Sequence, residues 1–417
     1  MTVKTKFLVL AMPWWMMTLG ASSWTQQAAG GRPGPMLHTE KTVVAESPDP
    51  GRLFVYEPAL VKLPSGRLLV TFEHTLIDAN AQVPRRFRLA VSDDGGRTWR
   101  QLPPLDLHSA QPFVHESKLY LLGNLAIRRN IVILRSNNEG RSWTEPVTLF
   151  EGSYWNAPTG VLIKDRRLYR SFNLHQDADG TPNLRNYQGC VVIAGDLSRN
   201  LLDRSAWRMS DRLDYPGTPP LLTRVPAAGR RPDHWLESNL VEVKGEIRGF
   251  HRLRVPGGAA QGLTHQSTAG LAAVTDLADD GTTLRHTFGQ FFPMPGAQNK
   301  FHIIRDEPSG LYWMAGNIPV DSLGGAPGGD DRRILILMYS VDAHNWFQAG
   351  CVAMTRKPRE AYNYASLLPE GDDLLLAVRT ALGGRHSQAK STHITFHRVR
   401  GFRSLALDLP GRRDAGD

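Results

Sequence analysis

The sequence predicts an all-β chain, and the repetition of its hairpins predicts a six-bladed β-propeller of four-stranded antiparallel sheets. Runs of about four to eight residues rich in Val, Ile, Leu, Tyr and Phe recur along the chain, as in "ALVKLPSGRLLVTFEH" and "LLPEGDDLLLAVRT". Many are joined by visible turns such as "PSG", "KDRR", "VKGE" and "PEGD". No long segment sustains a helical period, which excludes a helical bundle and an α/β fold.

Six strand–turn–strand units set the expected number of blades. They begin at Leu60, Phe113, Thr159, Leu240, Phe301 and Ser366. Each unit averages about 60 residues, and loops of variable length account for the excess over ordinary propeller repeats. The leading segment "KTVVAESP" (residues 41–48) is expected to close the ring as the outermost strand of the last blade.

A turn motif occurs twice, in "VSDDGGRTWR" and "RSNNEGRSWT", and in shortened form in "YSVDAHNW". The repeated positions are Ser92, Asp94, Gly96 and Trp99, then Ser136, Asn138, Gly140 and Trp143, and finally Ser340, Asp342 and Trp346. Each residue type has a role in a tight hairpin: the Asp or Asn side chain bonds backbone N–H groups, Gly adopts positive φ, and Trp packs inward. The alternating oxygen ligands and closing glutamate of an EF-hand loop are missing, so the motif predicts structure and not calcium binding.

This motif resembles the Asp-box, or bacterial neuraminidase repeat, best known from the sialidase superfamily of six-bladed propellers. The resemblance covers most of residues 41–403 and implies an active site at one end of the propeller axis, with the boxes on the periphery. Such a site combines three arginines that hold a substrate carboxylate, a tyrosine nucleophile, a glutamate that activates it and an aspartate acid/base. Catalysis is expected to need no metal and no cofactor. Asp-boxes also occur outside sialidases.

The catalytic candidates lie in two strand-like segments. "YASLLPEGDDLLLAV" is similar to the last-blade segment of sialidases and makes Tyr364 the candidate nucleophile, although Tyr362 lies on the same strand face and a packed strand tyrosine is the alternative. "ESNLVEVKGEIRGFHRLR" is similar to a sialidase strand pair, which makes Glu237 the activating base and Arg252 an anion-binding arginine, with Arg254 as an alternative.

The other anion-binding positions match the sialidase pattern less well. Before "ILILMYS", Arg332 is favoured over Arg333 by spacing. The first arginine of the family pattern is missing, because "FVYEPAL" carries Tyr56 and Glu57 at that place. A carboxylate there is expected to repel a carboxylate substrate, which points to a sugar other than ordinary sialic acid.

The acid/base and the remaining lining residues come from "GRLLVTFEHTLID" and from the inner ends of other blades. Asp78 is the candidate acid/base, and Glu73 lies nearby on the strand. Further candidates for sugar binding are Glu57, Glu73, His115 and Lys300.

Export is predicted by the first thirty residues, which carry two lysines, an apolar run from Phe7 and then small residues, as in a signal peptide. An uncleaved N-terminal anchor is the alternative. The remaining residues 31–417 are assigned to one propeller domain, with a flexible tail from about residue 404. The location is therefore periplasmic or extracellular, with no further contact with a membrane.

Charge and cysteine content restrict the kinds of binding partner that are expected. The net charge of +9 falls to +7 without the leader, because that segment holds two lysines and no acid. The arginines are dispersed, which favours anionic glycans over nucleic acid. Cys190 and Cys351 are expected to be free buried thiols, and no CxxC or local Cys/His spacing suggests a metal.

The sequence thus favours an exported sialidase-like glycoside hydrolase acting on acidic or related glycans. Two alternatives stay open: a propeller that binds glycans or cell surfaces without catalysis, and a uronic-acid lyase on the same fold.

Overall fold

The chain forms six antiparallel sheets arranged as the blades of a propeller. The computed structural model describes residues 36–76, 86–177, 179–183, 186–218, 234–254, 270–319, 331–384 and 388–409. The segment predicted to be a signal peptide and Asp78 lie outside these residues. No helix among them is long and apolar enough to cross a bilayer.

The strands follow one another in the order expected of consecutive blades. The first strand is β1 (Glu40–Glu46). Blade I contains β2 (Leu53–Lys62), β3 (Leu68–Leu76), β4 (Arg86–Ser92) and β5 (Arg100–Gln101). Blade II contains β6 (His108–His115), β7 (Lys118–Asn124), β8 (Ile131–Ser136) and β9 (Val147–Phe150). Blade III contains β10 (Tyr154–Trp155), β11 (Leu162–Lys164), β12 (Arg167–Leu174), β13 (Gly189–Asp196), β14 (Trp207–Met209) and β15 (Leu213–Asp214).

The second half repeats the same scheme. Blade IV contains β16 (His234–Val243), β17 (Glu246–Arg254), β18 (Leu271–Asp279) and β19 (Leu284–Pro293). Blade V contains β20 (His302–Asp306), β21 (Leu311–Asn317), β22 (Ile334–Ser340) and β23 (Phe347–Met354). Blade VI contains β24 (Ala361–Glu370), β25 (Asp373–Ala381) and β26 (His393–Val399). Short 3₁₀ turns span Arg204–Ala206 and Phe402–Leu405.

The ring is closed by the N-terminal strand. β1 pairs with β26, so blade VI has the order β1-β26-β25-β24 and takes its outermost strand from the start of the chain. The sequence-based predictions of a six-bladed propeller and of this closure are confirmed. Such closure ties the two ends of the propeller together, and radial repetition leaves only short, protected sheet edges.

The hydrophobic core is divided among the interfaces between blades. Each of six large apolar clusters joins two adjacent blades, from the cluster between blades I and II to the one that joins blades VI and I. Facing sheets bury the inward side chains of their alternating strands, and this burial fixes each blade against its neighbours. Residues 404–409, assigned to a flexible tail from the sequence, continue this packing, because Leu405, Ala406 and Leu409 contact the cluster between blades V and VI.

Both cysteines are free, as predicted; Cys190 is buried and Cys351 is half-buried.

Candidate active site

In four of the blades, the first strand has the same backbone irregularity. In β2, β6, β16 and β24 the pairing register shifts, and the first residue of each bulge has positive φ although it is not glycine. These residues are Glu57 (φ 55°), Ser109 (φ 48°), Glu237 (φ 56°) and Tyr364 (φ 53°). Bulges re-aim side chains, and positive φ in residues other than glycine persists where the surrounding structure holds it, often at functional sites. The fold therefore presents four polar side chains from equivalent positions of four blades.

Two of these residues, Tyr364 and Glu237, are in direct contact. The Tyr364 hydroxyl donates a short hydrogen bond to Glu237 Oε1. Arg252 Nη1 lies 2.9 Å from Glu237 Oε2 and 3.2 Å from the Tyr364 hydroxyl, while its Nε donates to the Gln298 carbonyl at 2.8 Å. All three functional side chains are buried. The structure thus brings together the predicted nucleophile, the predicted base and Arg252, one of the predicted anion-binding arginines.

Three more cations surround the tyrosine ring. The guanidinium carbons of Arg332 and Arg379 lie 5.6 Å and 4.7 Å from the centroid of the Tyr364 ring, and Lys300 Nζ lies 5.7 Å from it. Lys300 Nζ also donates to the Ala365 carbonyl at 3.0 Å. Burial lowers the pKa of Lys300 to about 8, opposed by the charges of Glu237 and Glu57, so the amine is mainly protonated at pH 7. Burial, followed by the charge of Glu237, raises the pKa of Tyr364 well above its usual range, so the phenol is protonated at neutral pH.

Arg379 is the functional candidate that the sequence reasoning missed. It belongs to β25, and its guanidinium carbon lies 3.9 Å above the centroid of the Tyr56 ring. Its Nε donates to Ser391 Oγ at 2.7 Å, and Nη2 donates to the Ala389 carbonyl. The start of blade I carries no arginine, as the sequence indicates, but Arg379 lies against the residue at that position. An aromatic ring occupies the usual position on β2, and a guanidinium from the last blade lies on that ring.

Glu57 and Glu73 belong to a hydrogen-bond network around Ser109. Ser109 Oγ donates to Glu57 Oε2 and accepts from Trp155 Nε1 at 2.8 Å. The Ser109 backbone N–H donates to Glu73 Oε1, and Glu73 Oε2 lies 3.6 Å from His108 Nε2. Glu57 is partly exposed, whereas Glu73 is buried with 1% of its surface accessible. Glu73 thus holds the bulge of β6 through the backbone N–H of Ser109.

His115 is not brought to this cluster. It ends β6, six positions beyond Ser109, which is roughly 20 Å along an extended strand. Its Nε2 lies 3.1 Å from the Leu197 carbonyl of blade III. The assignment of His115 to the site was wrong because the sequence did not reveal which end of β6 approaches the axis.

The rejected alternatives have other partners. Arg333 makes two hydrogen bonds to the Asp331 carboxylate, at 2.9 and 2.8 Å, and the Tyr362 hydroxyl accepts from Lys41 Nζ at 3.0 Å. Within the part of the chain that the structure describes, neither forms a hydrogen bond with Tyr364.

Solved structures with the same architecture include glycoside hydrolases. The chain aligns with Trypanosoma rangeli sialidase in complex with sialic acid at a TM-score of 0.57 and 13% identity, over 90% of this chain and 60% of the sialidase. It aligns with Penicillium chrysogenum alpha-L-arabinanase complexed with arabinobiose at a TM-score of 0.53 and 12% identity, over 89% of this chain and 99% of the arabinanase. A protein of unknown function from Dyadobacter fermentans aligns at a TM-score of 0.55 and 13% identity, over 87% of this chain and 98% of its own.

The chain has the six-bladed propeller fold of sialidases and arabinanases. No protein-family model matches the sequence, and no curated protein matches it at a significant level.

In the first of the three Asp-box-like turns, side chains accept hydrogen bonds from the backbone, as the motif predicts. Asp94 Oδ1 accepts from the backbone N–H groups of Arg97 and Thr98, at 3.0 and 2.9 Å, and Ser92 Oγ accepts from Gly96 N at 2.8 Å. The hydrogen bonds from Thr98 hold the pKa of Asp94 well below its usual range. Trp99 packs 5.5 Å from the Phe396 ring of blade VI. These contacts account for Asp94 without any catalytic role.

The other two boxes are built in the same way. Asn138 Oδ1 accepts from Ser142 N at 2.8 Å, and Ser136 Oγ accepts from Gly140 N at 2.8 Å. Asp342 Oδ1 accepts from the backbone of His344 and Asn345, at 2.9 and 2.8 Å, and from Ser340 Oγ. The corresponding tryptophans, Trp143 and Trp346, pack against the clusters between blades I and II and between blades IV and V.

Proposed function

We propose that this protein is a propeller glycoside hydrolase of sialidase type that acts on glycans ending in a carboxylate-bearing sugar. The contact of the Tyr364 hydroxyl with Glu237 Oε1, bridged by Arg252, carries this proposal. A phenol is a weak nucleophile unless a neighbouring base accepts its proton, and in this proposal Glu237 is that base.

The first half-reaction forms a bond between the Tyr364 oxygen and the anomeric carbon of the sugar. The phenolic proton passes to Glu237 as this bond forms. The glycosidic C–O bond breaks, and the departing oxygen takes a proton from a general acid, for which Asp78 is the candidate. In the second half-reaction water attacks the anomeric carbon, its proton passes to the acid residue, and Tyr364 leaves and regains its proton from Glu237. Two displacements retain the anomeric configuration.

The environment of Tyr364 suits a nucleophile that stays neutral until it reacts. The raised pKa of the phenol keeps it uncharged, so it does not repel an anionic sugar as a carboxylate nucleophile would. Arg252, within hydrogen-bond distance of the phenol and the carboxylate, stabilises negative charge as it shifts between them.

Charge favours an acidic substrate. Arg252, Arg332, Arg379 and Lys300 place four cations around Tyr364, against the two carboxylates of Glu237 and Glu57. Guanidinium groups bind carboxylates through paired N–H donors, and a neutral arabinose-type sugar has no group that needs such a cluster. The sialic acid complex among the structural neighbours is consistent with this substrate class. Glu57 lies within this positive region, where it can accept hydrogen bonds from sugar hydroxyl groups.

Export forms part of the proposal, because the N-terminal segment has the pattern of a signal peptide. The proposed location is the periplasm or the extracellular space, with carbohydrate as the partner.

Covalent trapping tests the mechanism directly. A sialosyl fluoride that carries a second fluorine beside the anomeric carbon should label wild-type protein, with the added mass on the peptide that contains Tyr364. In parallel, aryl sialosides, uronides and neutral aryl glycosides are assayed with wild type, Tyr364→Phe and Tyr120→Phe. We expect Tyr364→Phe to lose on the order of 10³-fold or more in kcat. Tyr120→Phe should retain activity, because Tyr120 is a buried core tyrosine stacked on Phe113.

Three outcomes would contradict the proposal. Equal activity of Tyr364→Phe and wild type would exclude the nucleophile. Failure of wild type to turn over any of these sugars would favour a glycan-binding propeller. An unsaturated sugar among the products would indicate a lyase.

A further inference from the structure

Three side chains with metal-binding atoms meet between blades III and IV. Cys190 comes from β13, His251 from β17 and His286 from β19, and one ligand atom from each lies within 4.8 Å of the others. Cys190 and His251 are each 1% exposed, and His286 is 9% exposed. His251 is adjacent to Arg252 in β17, but successive strand residues face opposite sides, so this cluster is separated from the Tyr364 site by the sheet.

Thr275 fixes the orientation of both imidazoles. Its hydroxyl oxygen lies 3.1 Å from His251 Nε2 and 3.0 Å from His286 Nε2, and the hydroxyl points towards the Gly249 carbonyl at 3.5 Å. If the threonine proton is directed to that carbonyl, its oxygen accepts a proton from each Nε2. Both histidines then carry the proton on Nε2, and the lone pair of each ring is on Nδ1.

On His286 the Nδ1 atom is the one that faces the thiol. His286 Nδ1 lies 4.0 Å from Cys190 Sγ. His251 Nδ1 is buried and has no hydrogen-bond partner among the described residues. A buried polar atom without a partner is costly, and buried nitrogens of this kind call for an explanation such as a bound ion. A hydrogen bond from the distal ring nitrogen is also the usual outer contact of a metal-bound histidine.

We propose that Cys190, His251 and His286 form a transition-metal site that binds one Zn²⁺ ion between blades III and IV. One thiolate and two imidazoles are donors that zinc accepts, with water completing a tetrahedral set. The Cys190 thiol loses its proton as the zinc–sulfur bond forms, so binding releases one proton to solvent. Zinc–ligand distances of about 2.0–2.3 Å place the donors roughly 3.5 Å apart, so the three side chains close around the ion by about 1 Å.

The consequence of the site is structural. The ion would join β13 of blade III to β17 and β19 of blade IV, in an interface whose apolar cluster already contains Cys190 and Trp235. Trp235 stacks on the His251 ring at 4.7 Å and limits its rotation. Because a metal that binds only the folded state stabilises it, zinc should make the whole propeller harder to unfold.

No local pattern in the sequence could reveal this site. The three residues lie at positions 190, 251 and 286 on three separate strands, and only the packing of blade III on blade IV brings them together.

The test uses the full chain, freed of metal with a chelator and titrated separately with Zn²⁺ and Co²⁺. We expect one ion per chain, a thiolate-to-cobalt charge-transfer band in the near ultraviolet, and a higher Tm with zinc. Cys190→Ser should lose the band and bind zinc at least tenfold more weakly. The matched control is Cys351→Ser, which removes the other free cysteine and should keep both signals.

Thr275→Val tests the orientation of the histidines. It keeps the shape of the threonine and removes the hydroxyl, so zinc affinity should fall about 10–100-fold while the cobalt–thiolate band persists. Circular dichroism verifies that each variant is folded, and His286→Gln provides a second ligand variant. The proposal is overturned if folded wild type takes up no stoichiometric Zn²⁺ or Co²⁺, or if Cys190→Ser and Cys351→Ser bind zinc equally well.

Discussion

The Arg379 guanidinium lies 3.9 Å above the ring of Tyr56, and these two residues join the last blade to the first. Cation–π contacts of this length are favourable, more so when the cation is shielded from water as Arg379 is. Arg379 also lies 4.7 Å from the Tyr364 ring, so it lies between two tyrosines. Three arginines, Arg252, Arg332 and Arg379, therefore lie around Tyr364, although the start of blade I carries none.

Arg379→Gln should weaken binding of acidic substrates specifically. Loss of a charged hydrogen bond to a carboxylate costs about 1.5–3 kcal/mol, which corresponds to a rise of roughly 10–100-fold in KM. Neutral aryl glycosides should be affected much less, if they are cleaved at all. Steady-state kinetics on both substrate types measures the difference.

Arg400→Gln is the matched control, because Arg400 is 64% exposed and pairs with Glu40 at the surface. It should leave both KM values unchanged. If Arg379→Gln and Arg400→Gln have the same small effect, Arg379 has no part in anion binding.

The tyrosine that supports Arg379 can be tested in the same assay. Tyr56→Phe keeps the aromatic face and should retain KM for acidic substrates within about threefold. Tyr56→Ala removes the face and should raise KM by roughly 3–10-fold, from the loss of about 0.5–1.5 kcal/mol of cation–π stabilisation. Equal KM values for the two variants would indicate that the ring does not position the arginine.

The sequence was sufficient for the parts of the molecule that depend on local patterns. Strand alternation and turn residues predict the hairpins, and the Asp-box pattern predicts the bonds of Asp94. Tyr364 and Glu237 could be predicted as site residues because their strands resemble segments of sialidases. Arg379 was not found, because it lies in the apolar run "LLLAVRT" and its partner Tyr56 belongs to the opposite end of the chain. The error over His115 has a similar cause, since alternation does not tell which end of a strand faces the axis.

Glu237→Gln should separate proton transfer from packing. The amide has the shape of the carboxylate but cannot accept the phenolic proton, so kcat should fall on the order of 10²–10⁴-fold. The control is Glu242→Gln on the same strand, where Glu242 pairs with Arg305 near the surface. Rates measured alongside the Tm of each variant distinguish lost catalysis from lost folding. A folded Glu237→Gln protein with wild-type kcat would remove Glu237 from the mechanism.

Gly96→Ala should destabilise the first box through backbone strain and through a collision with a neighbouring ring. Gly66→Ala, which introduces only the strain, separates the two effects. Gly96 has φ of 96°, and an added Cβ would lie 2.3 Å from the Phe396 ring. Gly66 has a similar φ of 88° with open space around it. Backbone strain alone should cost Gly66→Ala about 1–2 kcal/mol, and the collision should cost Gly96→Ala a further 1–3 kcal/mol. Urea unfolding of both variants gives the two values, and equal losses would mean that Phe396 yields without cost.

Acid should destabilise the propeller through buried histidines, of which His302 gives the clearest test. Its Nδ1 accepts from Leu367 N at 2.9 Å, and burial, followed by the charge of Lys300, lowers its pKa to about 3. Because the unfolded chain binds a proton below about pH 6.5 and the folded chain does not, stability falls as pH drops from about 6.5 towards 3, by up to about 1.4 kcal/mol per pH unit for each such histidine. The pKa values of His74, His286 and His397 are lowered in the same direction.

His302→Asn isolates this contribution, because the Asn oxygen can replace Nδ1 as the acceptor from Leu367 N and does not titrate. The free energy of unfolding in urea, measured between pH 7 and pH 4, should fall less steeply for His302→Asn than for wild type. The difference in slope should approach that of one titrating proton, about 1.4 kcal/mol per pH unit. The variant should be less stable than wild type at pH 7, where the imidazole packs better, and the two curves should converge towards pH 4. Parallel curves over that range would show that His302 does not contribute to the loss of stability in acid. The other buried histidines would then account for the whole pH dependence.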